Sequence, residues 1–153
     1  MEMPKPGAAH KQLEVFAGTW RGEEKMHPSP WDPKGGVATA SLVSRVACDG
    51  FYVVGDYEQR RDGVVSFRGH SVFGYDAPSQ EVVLYWFDST GMGVDVFRGK
   101  LEGQTLKLTC HNAMGHHRLV YDFRERDTLR SKMDTSADGK QWQTMFEGAY
   151  HHS

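Results

Sequence analysis

"VSFRGHSVFGYDAPSQEVVLYWFDSTG", residues 65–91, contains two runs of strand-forming residues on either side of one turn signal. Successive side chains of a strand point to opposite sides, so the first run places Phe67, Gly69, Ser71, Phe73 and Tyr75 on one face and Arg68, His70 and Val72 on the other. "DAPSQ" at 76–80 breaks the run with Asp, Pro and Ser. In the second run Val82, Leu84, Trp86 and Asp88 oppose Val83, Tyr85 and Phe87. Both faces are rich in apolar groups, which predicts a strand covered on both sides. Two period-two runs joined by a short polar turn read as an antiparallel hairpin.

The same punctuation continues in both directions. Asp49-Gly50, Asp62-Gly63 and Asp138-Gly139 are hairpin signals because these residues tolerate positive φ. "STGMG" at 89–93, "EGQ" at 102–104, "NAMG" at 112–115 and "RERD" at 124–127 mark further turns. The intervening segments give about ten strands, beginning near Gly18, Val37, Phe51, Val64, Glu81, Val94, Thr105, His116, Thr128 and Gln141. In the last of them Trp142, Thr144, Phe146, Gly148 and Tyr150 form the expected core face, opposite Met145, Glu147, Ala149 and His151. One short helix precedes them over 8–16, where Ala9, Leu13 and Phe16 share an apolar face.

A chain of short strands with one helix leaves a sandwich or a closed barrel. Short turns nearly throughout favour an all-β, ten-stranded antiparallel up-and-down barrel with a short N-terminal helix, because a Greek key needs longer crossings. The one long connection, "HPSPWDPKGG" at 27–36, is a candidate lid or surface loop; it or a sheet edge is the candidate surface for a homodimer.

The 153 residues fit a single domain, 1–153, with 1–7 read as a flexible tail. A chain of this size buries roughly 70% of its unfolded surface, enough for one real core. A formal net charge of -2 and no basic stripe argue against nucleic acid as a partner. There is no apolar run of membrane-spanning length and no signal-peptide pattern, so the expectation is a cytoplasmic protein without membrane association. Cys48 and Cys110 lack Cys-x-x-Cys spacing and read as free, buried thiols. Nucleophile-elbow, phosphate-loop and His-Glu-x-x-His motifs are absent, and Glu23 and Glu24 point to opposite sides of a strand, so they cannot form a carboxylate pair.

"GTW" at 18–20, following a short helix, resembles the Gly-x-Trp signature of the calycin superfamily, the lipocalins, fatty-acid-binding proteins and their relatives. "DG" at 49–50, "FGYD" at 73–76, "WFDSTG" at 86–91 and "DGKQW…EGAY" at 138–150 are similar to a bacterial family of uncharacterised calycin-like domains. The resemblance implies a ten-stranded barrel around an apolar cavity, and a distant kinship to the haem-binding nitrobindin barrel. The nitrobindin pattern has a second glycine where this chain reads "RGEE" at 21–24.

Candidate residues follow from these two readings. Gly18, Thr19 and Trp20 would close the barrel base, with Trp20 packed over a late cationic side chain, Arg130 or Arg118. Trp86 and Asp88 share a face and would offer a stacking surface and an acceptor, unless Asp88 holds the amides of the following turn. Arg68 and His70 point together; facing inward they would bind an anionic head group, facing outward they are solvated. The apolar lining is drawn from Phe73, Tyr75, Tyr85, Trp86, Phe97, Tyr121 and Met133, and the polar lining from Arg68, His70 and Arg118. His111 and His116 would face each other across a hairpin, but no third ligand accompanies them, so no metal site is expected. If haem binds, His111, His116, His117 or His151 would be its ligand. The resulting expectation is a barrel that binds a small apolar or amphipathic molecule without catalysis and without a cofactor. A haem protein acting on nitrogen oxides and a filled, dimerising scaffold are the alternatives.

Overall fold

The computed structural model describes residues 1–30 and 32–153. Trp31, inside the expected 27–36 connection, lies outside the described residues. Helix α1 (Ala8–Gln12) tightens into a 3-10 turn over Leu13–Phe16. Three residues per turn bring Leu13 and Phe16 to the same side, and both are fully buried. The strands are β1 (Gly18–Met26), β2 (Gly36–Ala47), β3 (Tyr52–Arg61), β4 (Val64–Asp76), β5 (Glu81–Asp88), β6 (Asp95–Glu102), β7 (Thr105–Asn112), β8 (Gly115–Asp122), β9 (Thr128–Ser136) and β10 (Gln143–His152). Each pairs antiparallel with its neighbours in the chain, and β1 pairs with β10 to close the barrel. Closure leaves no strand without a partner on either side among the described residues.

Two features depart from simple alternation. A bulge between Thr144 and Phe146 advances β10 by one residue, so Phe146 opposes inward-facing Met133 while Thr144 opposes outward-facing Asp134. Trp142 and Thr144 therefore do not share the core face of Gly148 and Tyr150: Trp142 lies under the Arg118 guanidinium, 3.9 Å from its ring centroid, and Thr144 Oγ1 donates to Asp134 on the outer wall. The second departure is β5, which is not covered on both sides. Its Tyr85 and Phe87 stand on the outer wall with 37% and 44% of their surface exposed, because a single barrel has only one interior.

The helical segment plugs one end. Phe16 stacks on Phe73 with ring centroids 4.2 Å apart and meets the edges of Tyr121 and Phe123. Around it Leu84, Leu106, Leu108 and Leu129 are fully buried. Toward the other end, the inward side chains of Tyr57, Trp86, Met133 and Phe146 are only half-buried. The barrel is filled at its helical end, and these inward side chains toward the opposite end keep part of their surface exposed. Cys110 is buried on the inner wall, but Cys48 is exposed at the β2–β3 turn, contrary to the expectation of two buried thiols. No described helix is long and apolar enough to cross a membrane.

Candidate functional site

Strand parity carries Glu24 inward with Trp20, four residues before it in β1, and the carboxylate is 1% exposed. An unpaired carboxylate in such a place would be strongly disfavoured. Three side chains compensate, and small residues let them reach. On one side, Glu24 lies opposite Gly148 in the β1–β10 pair. The Tyr150 side chain runs back across Gly148, where a Cβ would lie 2.2 Å from the phenol oxygen. Tyr150 thereby donates to Glu24 Oε2 at 2.6 Å, and its oxygen meets Ser131 Oγ at 3.0 Å.

On the other side, Tyr57 and Gln59 project from β3, two strands away, over the buried alanines Ala38 and Ala40 of β2. Tyr57 donates its hydroxyl to Glu24 Oε1. Gln59 Nε2 lies 3.0 Å from the same oxygen and 3.2 Å from the Tyr57 hydroxyl. Gln59 Oε1 in turn accepts from Ser66 Oγ at 3.2 Å. Burial, and then the neighbouring Glu24 carboxylate, push the phenols of Tyr57, Tyr121 and Tyr150 above the ordinary tyrosine range.

From Tyr57 an aromatic wall leads toward the open end. Its ring meets Trp86 edge-on at 5.8 Å between centroids. Trp86 lies flat over Gly69, where a Cβ would stand 2.2 Å from the indole. Its Nε1 donates to Asp88 Oδ2 at 2.9 Å, while Asp88 Oδ1 accepts from the Thr90 amide at 3.0 Å. Asp88 thus serves the wall and the turn together. Nearby on the inner face of β4, Ser71 is 3% exposed and its Oγ has no hydrogen-bond partner among the described residues. Leaving a buried hydroxyl unsatisfied costs about 1–3 kcal/mol.

At the rim of the open end, His117 turns inward and is held at Nε2 by Asn112 Oδ1 (3.0 Å) and at Nδ1 by Thr135 Oγ1 (3.2 Å). Burial lowers its pKa, with the nearby Asp95 carboxylate opposing the shift. Asn112 Nδ2 also donates to Asp95 Oδ1 at 3.0 Å.

The remaining sequence candidates separate clearly by face. Phe73 is part of the filled floor, Tyr75 is half-buried beside His10, and Phe97 is buried. Tyr121 and Met133 face the interior, whereas Tyr85 does not. Arg68 and His70 stand on the outer wall, where they border an open groove of about 560 Å³. There His70 Nδ1 lies 2.8 Å from Asp56 Oδ1, and Arg68 Nε lies 3.8 Å from Glu58 Oε2. An inward-facing cationic pair for an anionic head group is therefore not formed; the acidic side chains on the inner face are Glu24, Asp88 and Asp95, and the one arginine on that face of β3, Arg61, pairs with Asp32 at 2.7 Å. Arg118 is also outside, paired with Asp134 at 3.2 Å, and Arg130 pairs with Glu125 at 2.9 Å.

Neither arginine covers Trp20. That ring lies against His152, with centroids 3.6 Å apart, and its Nε1 donates to the Phe16 carbonyl at 3.1 Å. Gly18 enters β1 with φ 107°. His111 and His116 do meet across their hairpin, stacked at 4.1 Å, but on the outer wall. His151, also outside, lies 3.2 Å from Thr128 Oγ1. No group of three or more His, Cys, Asp or Glu side chains is disposed to hold a metal among the described residues.

Sequence reasoning passed over Glu24, Tyr57 and Gln59, and placed Tyr150 on the core face without a polar role. The available signal was parity: once Trp20 faces inward, Gly22, Glu24 and Met26 must follow it.

Two solved structures share this architecture. The crystal structure of Rv2717c from M. tuberculosis aligns with TM-score 0.75 and 16% identity over 96% of this chain and 98% of that one. The S-type phycobiliprotein lyase CPES from Guillardia theta aligns with TM-score 0.60 and 10% identity over 97% and 98% of the respective chains. At these identities the likeness establishes the fold. No curated protein matches the sequence. A family model described as a protein of unknown function, DUF1579, matches residues 5–152, and with nearly its whole length matched the chain belongs to that family.

Proposed function

We propose that the protein binds a small, partly apolar molecule inside the barrel, reached from the end opposite the helix, and that it does so without catalysis. The observation that carries this reading is the gradient along the interior. Phe16, Phe73, Leu84, Leu106, Leu108 and Leu129 at the floor are fully buried, whereas Tyr57, Trp86, Met133 and Phe146 further along remain half-buried although they point inward. Beside the polar side chains of Glu24, Gln59 and Asp88, the rings of Trp86, Tyr57 and Phe146 and the Met133 thioether offer apolar area, a combination usual in small-molecule pockets. The fold neighbour named as a phycobiliprotein lyase supports the reading at the level of the barrel alone.

The test is a fluorescence titration with the neutral aromatic probe N-phenyl-1-naphthylamine. Saturable one-to-one enhancement is expected, together with quenching of tryptophan emission. Met133→Trp, which fills the inner wall, should abolish it while leaving the circular dichroism unchanged. Absence of saturable binding, or equal binding by a folded Met133→Trp variant, refutes an interior site.

A further inference from the structure

We infer that the interior selects ligands bearing an N–H donor, with arylalkylamines, cationic at neutral pH, as the chemical class, and that Glu24 and Tyr57 anchor the nitrogen. This rests on the interior-binding reading above and adds the identity of the polar group.

Hydrogen-bonding capacity within the cluster is one-sided. Tyr57 and Tyr150 both spend their single O–H on Glu24. Gln59 directs its amide N–H groups at Glu24 Oε1 and the Tyr57 oxygen, and its carbonyl is taken by Ser66. Since Tyr150 donates to Glu24, Ser131 must be the donor in its contact with Tyr150. What remains is acceptor capacity. A carboxylate offers about four acceptor positions. Oε1 has two donors and Oε2 has one, so Oε2 and the phenol oxygens retain free lone pairs. An incoming ligand therefore finds acceptors and must bring donors.

Charge points the same way. The carboxylates of Glu24, Asp88 and Asp95 face the interior; Arg61, which shares the face of Tyr57 and Gln59 in β3, is neutralised by Asp32 at 2.7 Å, and Arg68, Arg118 and Arg130 are outside in ion pairs. An anionic head group would enter against like charge; an amine enters toward opposite charge. A second, independent feature marks the same wall as incomplete. The Ser71 hydroxyl, buried beside Trp86 and Gly55, has no partner among the described residues. The nitrogen would sit against Glu24 and Tyr57, and the aromatic body would lie along Trp86.

Three probes of one shape test the inference: 1-naphthylmethylamine, 1-naphthylmethanol and 1-naphthylacetate, each titrated calorimetrically at neutral pH. The amine should bind about tenfold or more tighter than the acetate, the difference a charge-assisted hydrogen bond provides. Glu24→Gln should bring the two within about threefold by removing that bond. Arg68→Ala, on the outer wall, should leave the preference intact. If Glu24→Gln does not fold by circular dichroism, Tyr57→Phe serves instead and should weaken the amine while leaving the acetate unchanged. Equal binding of all three probes, or tighter acetate, overturns the amine preference and leaves interior binding standing. A preference that survives in folded Glu24→Gln, or amine binding that is not weakened in Tyr57→Phe where that variant is used, overturns the anchor. If none of the three binds saturably, interior binding itself falls, and this inference with it.

Discussion

Replacing Tyr150 by Phe removes one oxygen and keeps the ring, so its effect isolates the hydrogen bonds. Glu24 Oε2 has Tyr150 as its donor, at 2.6 Å, and Ser131 Oγ loses its acceptor at the same time. A hydrogen bond to a charged group contributes about 1.5–3 kcal/mol, and a buried group left unsatisfied is penalised further, so a loss of about 3 kcal/mol is expected. Tyr57→Phe should be milder, about 1–2 kcal/mol, because Gln59 still donates to Oε1. For a domain of this size 1 kcal/mol moves the melting temperature by about 2–4 °C, so Tyr150→Phe should lower it by about 6–12 °C and Tyr57→Phe by about 2–8 °C. The double variant should deviate from additivity by at least about 0.5 kcal/mol, since both hydroxyls serve one carboxylate. Urea unfolding followed by tryptophan fluorescence measures all three. The reasoning fails if Tyr150→Phe lies within about 0.5 kcal/mol of the parent, or if Tyr57→Phe is the more damaging change.

Gly148→Ala should act through the same carboxylate, because the new methyl would displace the Tyr150 phenol; its cost of about 1–3 kcal/mol should shrink in a Tyr150→Phe background, as urea midpoints will show. Alkaline pH should destabilise the fold steeply from about pH 10 upward. The unfolded phenols release protons there while folded Tyr57, Tyr121 and Tyr150 keep theirs, giving up to about 1.4 kcal/mol per pH unit for each, and absorbance at 295 nm should show these three ionising only as the chain unfolds. Ellman's reagent should titrate Cys48 in the native protein and Cys110 only after denaturant is added; a native count of two thiols would contradict the inward placement of Cys110.

Periodicity and turn chemistry make the barrel legible in the sequence: the strands expected to begin at Gly18, Val64, Glu81, Thr105 and Thr128 begin there, and the others start within one or two residues. The bulge in β10 was not legible, since an inserted residue leaves no mark in alternation, and Trp142 and Thr144 were assigned to the wrong face as a result. Arg68 and His70 show a different limit. Alternation correctly grouped them opposite Phe73, but a binding role required the opposite facing. The buried Glu24 was accessible to parity from Trp20, yet its partners were not. Tyr57 and Gln59 reach it across two alanines, and Tyr150 is 126 residues away in the chain. Such meetings arise from closure of the sheet, which no local pattern encodes.

That last separation has a consequence for how the chain is made. Until β10 docks, β1 exposes a strand edge and Glu24 lacks the hydroxyl that satisfies Oε2, so every partial chain short of Tyr150 holds a carboxylate with nowhere favourable to be buried. The seam therefore acts as a check on completeness. A chain arrested before its final strand is not a slightly weakened barrel but an open, hydrated sheet with an adhesive rim, which proteases and aggregation will find first. Shortening the C-terminus past Tyr150 should thus abolish folding all at once, whereas removing residues 1–5, which precede the helix, should hardly register.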